Sequence, residues 1–113
     1  MRRRPGKDKR RVNRRMTARN LILFHRGVPV VARMLNLSAG GALIETTEHL
    51  RVAAEIIIVL YLPDRTPLTL TARVRFHREG IGAGIEFIRL TPLQRRRITV
   101  LINSPEQRKA RVL

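Results

Sequence analysis

A chain of 113 residues holds one domain and leaves no room for a second independent core, since domains run from about 50 to 250 residues. The absence of cysteine removes disulfide scaffolds, thiolate zinc sites and thiol catalysis, and the longest apolar run, Ile56 to Leu62, is seven residues against the roughly 20 of a membrane helix. With 24 Lys and Arg against 8 Asp and Glu the net charge is +16, so the expected partner is anionic and the expected setting cytoplasmic, without membrane insertion.

Ten cations and one acid fall within residues 1–19, and residues 1–18 hold almost no apolar side chain beyond Val12 and Met16. Like charges at this density oppose compaction, which predicts a disordered basic arm. From Asn20 the texture changes to short apolar runs cut by Gly, Pro and Asp, the punctuation of an all-β domain. Strands are predicted over residues 20–26, 28–36, 41–47 and 55–62. Pro63-Asp64 and Thr66-Pro67 then supply the chemistry of a hairpin turn. In the next strand Leu68, Leu70, Ala72, Val74 and Phe76 alternate with Thr69, Thr71, Arg73, Arg75 and His77, so that one face is buried and the other wet. After a turn rich in Gly80, Gly82 and Gly84, a last strand over 84–90 puts Ile85 and Phe87 on one face and Glu86 on the other. Short strands at this spacing suggest a closed barrel or a sandwich. Only four aromatic residues are present (Phe24, Tyr61, Phe76, Phe87), so the core must be aliphatic.

Thr91-Pro92-Leu93-Gln94 reads as a capping box with Pro at the first helical position, predicting a helix from there to about Asn103. Leu90, Leu93, Val100 and Leu101 share one side of its helical wheel and are expected to dock on the barrel. Pro105 ends it, leaving 105–113 as a tail.

Signatures of catalysis are sparse, and no enzyme activity is expected. His25, His49 and His77 have no metal-ligand spacing, the acids are scattered, and Ser38 lacks the Gly-x-Ser-x-Gly context of a nucleophile elbow. What stands out is Asn36-Leu37-Ser38-Ala39-Gly40-Gly41 between two predicted strands, about 20 residues after Lys9-Arg10-Arg11-Val12-Asn13-Arg14-Arg15. Together these resemble the PilZ domain, the bacterial receptor for cyclic di-GMP, whose signature is Arg-x-x-x-Arg followed by Asp/Asn-x-Ser-x-x-Gly. Gly40-Gly41-Ala42-Leu43-Ile44, Ile81-Gly82-Ala83-Gly84-Ile85-Glu86-Phe87 and the Arg-rich closing helix are similar to later parts of the same pattern.

The resemblance implies a barrel of about six antiparallel strands with a C-terminal helix, spanning 19–104 behind the arm 1–18. It implies cyclic di-GMP as ligand, held by Arg10, Arg14, Asn36, Ser38 and Gly41, with Arg11 and Arg15 as the alternative register, and neither cofactor nor metal. The residue chemistry agrees. A guanidinium can fork onto phosphate or guanine O6 and N7, Asn36 can accept from a guanine N–H, and Ser38 adds a hydroxyl. Gly41 is explained by a positive φ or by close backbone approach. As a single-domain member the chain is expected to act as an adaptor that orders its arm on binding and presents a changed face to a downstream protein. A PilZ-like module that binds only protein, or a basic nucleic-acid binder, are the competing readings.

Overall fold

Alternation of apolar and polar residues along six short segments builds six strands, each turning every second side chain inward. The computed structural model describes residues 19–103, and the expectations for the arm 1–18 and the tail 105–113 lie outside the described residues. The elements are β1 (Arg19–His25), β2 (Val28–Leu37), β3 (Gly41–Glu45), β4 (Glu55–Tyr61), β5 (Pro67–Arg78), β6 (Gly82–Ile88) and a helix, α1 (Pro92–Ile102). All neighbouring strands pair antiparallel, and the order β1-β2-β3-β6-β5-β4 closes on itself, which leaves no sheet edge open to another chain.

The interior is aliphatic, as the composition demands. Leu21 and Leu23 of β1, Met34 of β2, Ile44 of β3, Ile58 and Leu60 of β4, and Leu70 and Val74 of β5 are almost wholly buried, with Phe87 the one aromatic ring among them. The β4–β5 hairpin forms where its turn residues predict. Leu62 N donates to Thr66 O at 2.9 Å, and Asp64 Oδ1 accepts from Thr66 N at 2.9 Å. Those bonds from Thr66 hold the Asp64 carboxyl below the usual carboxylate range.

Three expectations need correction. Phe76 does not join the buried row of β5: the register shifts between Val74 and Phe76, and this bulge turns the ring outward, 40 % exposed, over Gly84 of β6. A Cβ on Gly84 would run into that ring. The last strand starts at Gly82 rather than Gly84 and stops at Ile88, because Arg89 takes a positive φ of 53°. On α1 the capping box is present, with Thr91 Oγ1 accepting from Gln94 N at 3.1 Å and Gln94 Oε1 from Thr91 N at 2.8 Å, yet of the expected docking residues only Leu90 and Leu101 pack on the barrel. Ile98 and Leu101 are buried while Leu93 and Val100 stand 49 % and 55 % exposed. Gln94 explains the rotation: its Nε2 donates to Thr69 O of β5 at 3.0 Å and turns the 94/98/101 side of the helix toward the barrel.

Candidate functional site

The β2–β3 connection is built by its own polar residues. A bulge between Met34 and Asn36 offsets β2 against β3 and brings Asn36 opposite Leu43. Asn36 Oδ1 accepts from Leu43 N at 3.1 Å, Ser38 N donates to Gly41 O at 2.9 Å, and Ser38 Oγ donates to the same carbonyl at 3.2 Å. Phe87 N donates to Gly40 O at 2.9 Å, tying the turn to β6. Five backbone groups, Ser38 N, Gly40 O, Gly41 O, Leu43 N and Phe87 N, are thereby paired, and the turn is held in one shape.

Gly41 is required by close approach and not by an unusual φ. It is absent from the positive-φ glycines, which are Gly27, Gly80 and Gly82, and a Cβ there would collide with the carbonyl oxygen of Ile85 on β6. Of the two explanations open at the sequence level, the structure selects the second.

These residues border a groove of about 530 Å³ lined by Asn36, Ser38, Gly40 and Gly41 on one side and by Arg75, Phe76, Gly84 and Glu86 on the other. The far wall is new relative to the sequence reading. Arg75 Nη1 lies 3.3 Å from Glu86 Oε1, and the Arg78 guanidinium sits 5.6 Å from the centroid of the Phe76 ring. The signal was hidden by period two: Arg75 read as one more wet-face residue of an even strand, and only the bulge beside it turns both Arg75 and Phe76 toward the groove.

The arrangement also changes the chemistry assigned to Asn36. Its oxygen already accepts from Leu43 N, so the amide is oriented with Nδ2 as its free donor, suited to guanine O6 or N7 or to a phosphate oxygen, with one oxygen lone pair left over. Arg10, Arg11, Arg14 and Arg15 lie outside the described residues. What is described is where their segment enters: Arg19 opens β1 opposite Met34, two residues before Asn36.

Sequence distance misled for the histidines as well. His49 and His77 meet with ring centroids 5.4 Å apart and planes at 68°, and His25 Nδ1 lies 3.1 Å from Glu48 Oε1. His49 and His77 line a larger cleft of about 770 Å³ that contains none of Asn36, Ser38 and Gly41. Among the described residues no group of three His, Cys, Asp or Glu side chains is placed to hold a metal, and no helix is long and apolar enough to cross a membrane.

The six-strand closed barrel with one closing helix, and a glycine-dependent Asn-x-Ser-x-x-Gly turn between β2 and β3, agree with the comparison against protein families. The model of the PilZ domain matches residues 8–104. The chain belongs to the PilZ domain family. No curated protein matches it. PilZ domains are in general cyclic di-GMP-binding modules, and the match begins upstream of β1, so it takes in the arginine cluster together with the turn.

Proposed function

We propose that this PilZ protein is a non-catalytic cyclic di-GMP effector, with Arg10 and Arg14 gripping the ligand from the arm while Asn36, Ser38 and Gly41 receive it at the β2–β3 turn. Arg11 and Arg15 form the alternative register. The observation that carries the reading is the meeting of the family's turn motif with a groove at the point where the arm joins the barrel. Arg14 is five residues from Arg19, and at most about 3.5 Å of chain per residue places it within roughly 17 Å of the start of β1. The same bound allows Arg10, nine residues from Arg19, up to about 32 Å, so both arginines can reach the groove in this reading.

In this reading the guanidinium forks take phosphate or the guanine O6/N7 edge, and the Asn36 amide and Ser38 hydroxyl take further polar edges of the base. Phe76 and Gly84 offer an apolar floor, with Arg75 beside it. The ordered arm and the bound ligand then form the face that a downstream protein recognises.

Calorimetric titration at about 150 mM salt tests this, with cyclic di-AMP, GTP and a DNA duplex as comparisons. Cyclic di-GMP should bind far more tightly than cyclic di-AMP. Equal affinity for the two would mean a patch that reads charge alone, and tighter binding of the duplex would favour a nucleic-acid binder.

A further inference from the structure

The outer wall of a small barrel faces water and is expected to be polar, yet on three adjacent strands it is not. Because Leu21 and Leu23 point into the barrel, Ile22 and Phe24 of β1 point out. Ile22 is paired with Val31 of β2 on one side and Val59 of β4 on the other, and Phe24 is paired with Pro29 and Ile57 in the same way. Two cross-strand rows of three apolar side chains therefore lie next to each other with no charge between them. Val31 is 67 % exposed and Ile57 44 %, and the residues between them are half-buried by one another.

We propose that this face of β2, β1 and β4 docks a partner protein whose contact region is apolar with an acidic margin. Its surroundings set that chemistry. Arg33 follows Val31 on the same face of β2, Arg73 stands on β5 beyond Thr71, the neighbour of Ile57, and Arg26 occupies the β1–β2 turn. Arg26 makes no ion pair among the described residues and holds a positive φ of 55°, a conformation that disfavours an arginine. An apolar centre rimmed by arginine is the composition that concentrates binding energy in protein interfaces.

The same rim argues against other occupants. A second copy would bring together two rims that each keep a net positive charge, Arg26, Arg33 and Arg73 against Glu45 and Glu55. The flanking segments 1–18 and 104–113 are themselves net basic, with nine cations to one acid and three to one. An anionic lipid surface would meet Glu45 and Glu55, which are fixed in the rim by Arg33 at 3.3 Å and Arg73 at 3.2 Å. A protein surface can match this mixed pattern and a uniform negative plane cannot. The inference does not depend on cyclic di-GMP.

The test uses the full chain at about 150 mM salt and an amphipathic helical peptide with Leu at i, i+3, i+4 and i+7 flanked by Glu. Two further peptides replace Glu by Lys or Leu by Ser. Only the Leu/Glu peptide should bind, and Val31→Asp and Ile57→Glu should each weaken it at least about tenfold, as loss of a central contact does. Leu93→Asp, on the exposed side of α1, should leave it unchanged. Thermal melting of each variant identifies any that fails to fold, and the two substitutions sit on different strands so that either suffices. Equal binding of the Ser/Glu peptide, no binding of the Leu/Glu peptide, or indifference to both substitutions overturns the proposal. So does a dimer in sedimentation, or binding to phosphatidylglycerol vesicles, that Ile57→Glu abolishes.

Discussion

Gly41 shows how one missing Cβ serves both fold and site. It lets β3 approach β6 so closely that any side chain would strike the Ile85 carbonyl, and backbone cannot swing aside as a flexible side chain can. Gly41→Ala should therefore cost about 1–3 kcal/mol of stability, the usual range for overpacking, and weaken cyclic di-GMP binding with it; a denaturant melt and a titration on the same variant check both. The arginines should separate the two properties. Arg10→Ala or Arg14→Ala removes a charge-assisted contact worth about 1.5–3 kcal/mol, or roughly tenfold to over a hundredfold in affinity, with the melting temperature unchanged. Arg96→Ala on α1 should leave titration curves as they were, and sensitivity at Arg11 and Arg15 instead would move the register by one. Asn36, Ser38 and Gly41 were legible in the sequence because a turn motif is local. Arg75 was not, because its place depends on a bulge formed with a strand ten residues further on.

Among the elements, the strands could be read to within a few residues because alternation and turn chemistry act over short range, whereas the helix could be read only in part. Its start follows from the Thr91–Gln94 capping box, but a helical wheel cannot see Thr69, the distant carbonyl that Gln94 binds and that sets which face turns inward. Ile98→Ala should accordingly cost about 2–5 kcal/mol in chemical denaturation, and Leu93→Ala, on the face that the wheel favours, no more than about 0.5 kcal/mol. Strand pairing carries its own electrostatic clip. Glu55 at the start of β4 accepts from Arg89 Nη2 at 2.7 Å and from Arg73 Nη2 at 3.2 Å. Those hydrogen bonds, Arg89 foremost, hold its carboxyl below the ordinary glutamate range. A depressed folded-state value means that the contribution is full above the unfolded glutamate pKa and is lost as pH falls through the folded one. Melting temperature should fall from about pH 5 to pH 3, and Glu55→Gln should shallow that fall slightly, since the pair is solvent-exposed and screened. An unchanged acid limb in Glu55→Gln would remove the clip from the account.

At the scale of the molecule, a rigid barrel is joined to a segment that carries much of the charge and, in the proposed mechanism, half of the ligand grip. Residues 1–18 hold nine cations and one acid and lack an apolar face, so the chain supplies no hydrophobic term to fix them without a ligand. The barrel, by contrast, has its turn prepaired through Asn36, Ser38 and Gly40, so the proposed mechanism assigns the order gained on binding to the arm. Fixing a backbone residue costs about 1–2 kcal/mol, and ordering even five or six of them consumes a large part of the contact energy from two arginine forks and the turn. Affinity should then be moderate, on the order of micromolar, in spite of a charge of +16. Amide hydrogen exchange with and without cyclic di-GMP reads this directly. Protection should rise over Lys9 to Arg15 and more modestly over Asn36 to Gly41, while Leu68 to Val74 in β5, paired with β4 and from Thr71 onward with β6, should exchange at the same rate in both states. An arm protected to the same degree without ligand would overturn the ordering mechanism even if cyclic di-GMP binds, and would move the signal from the arm to the barrel wall.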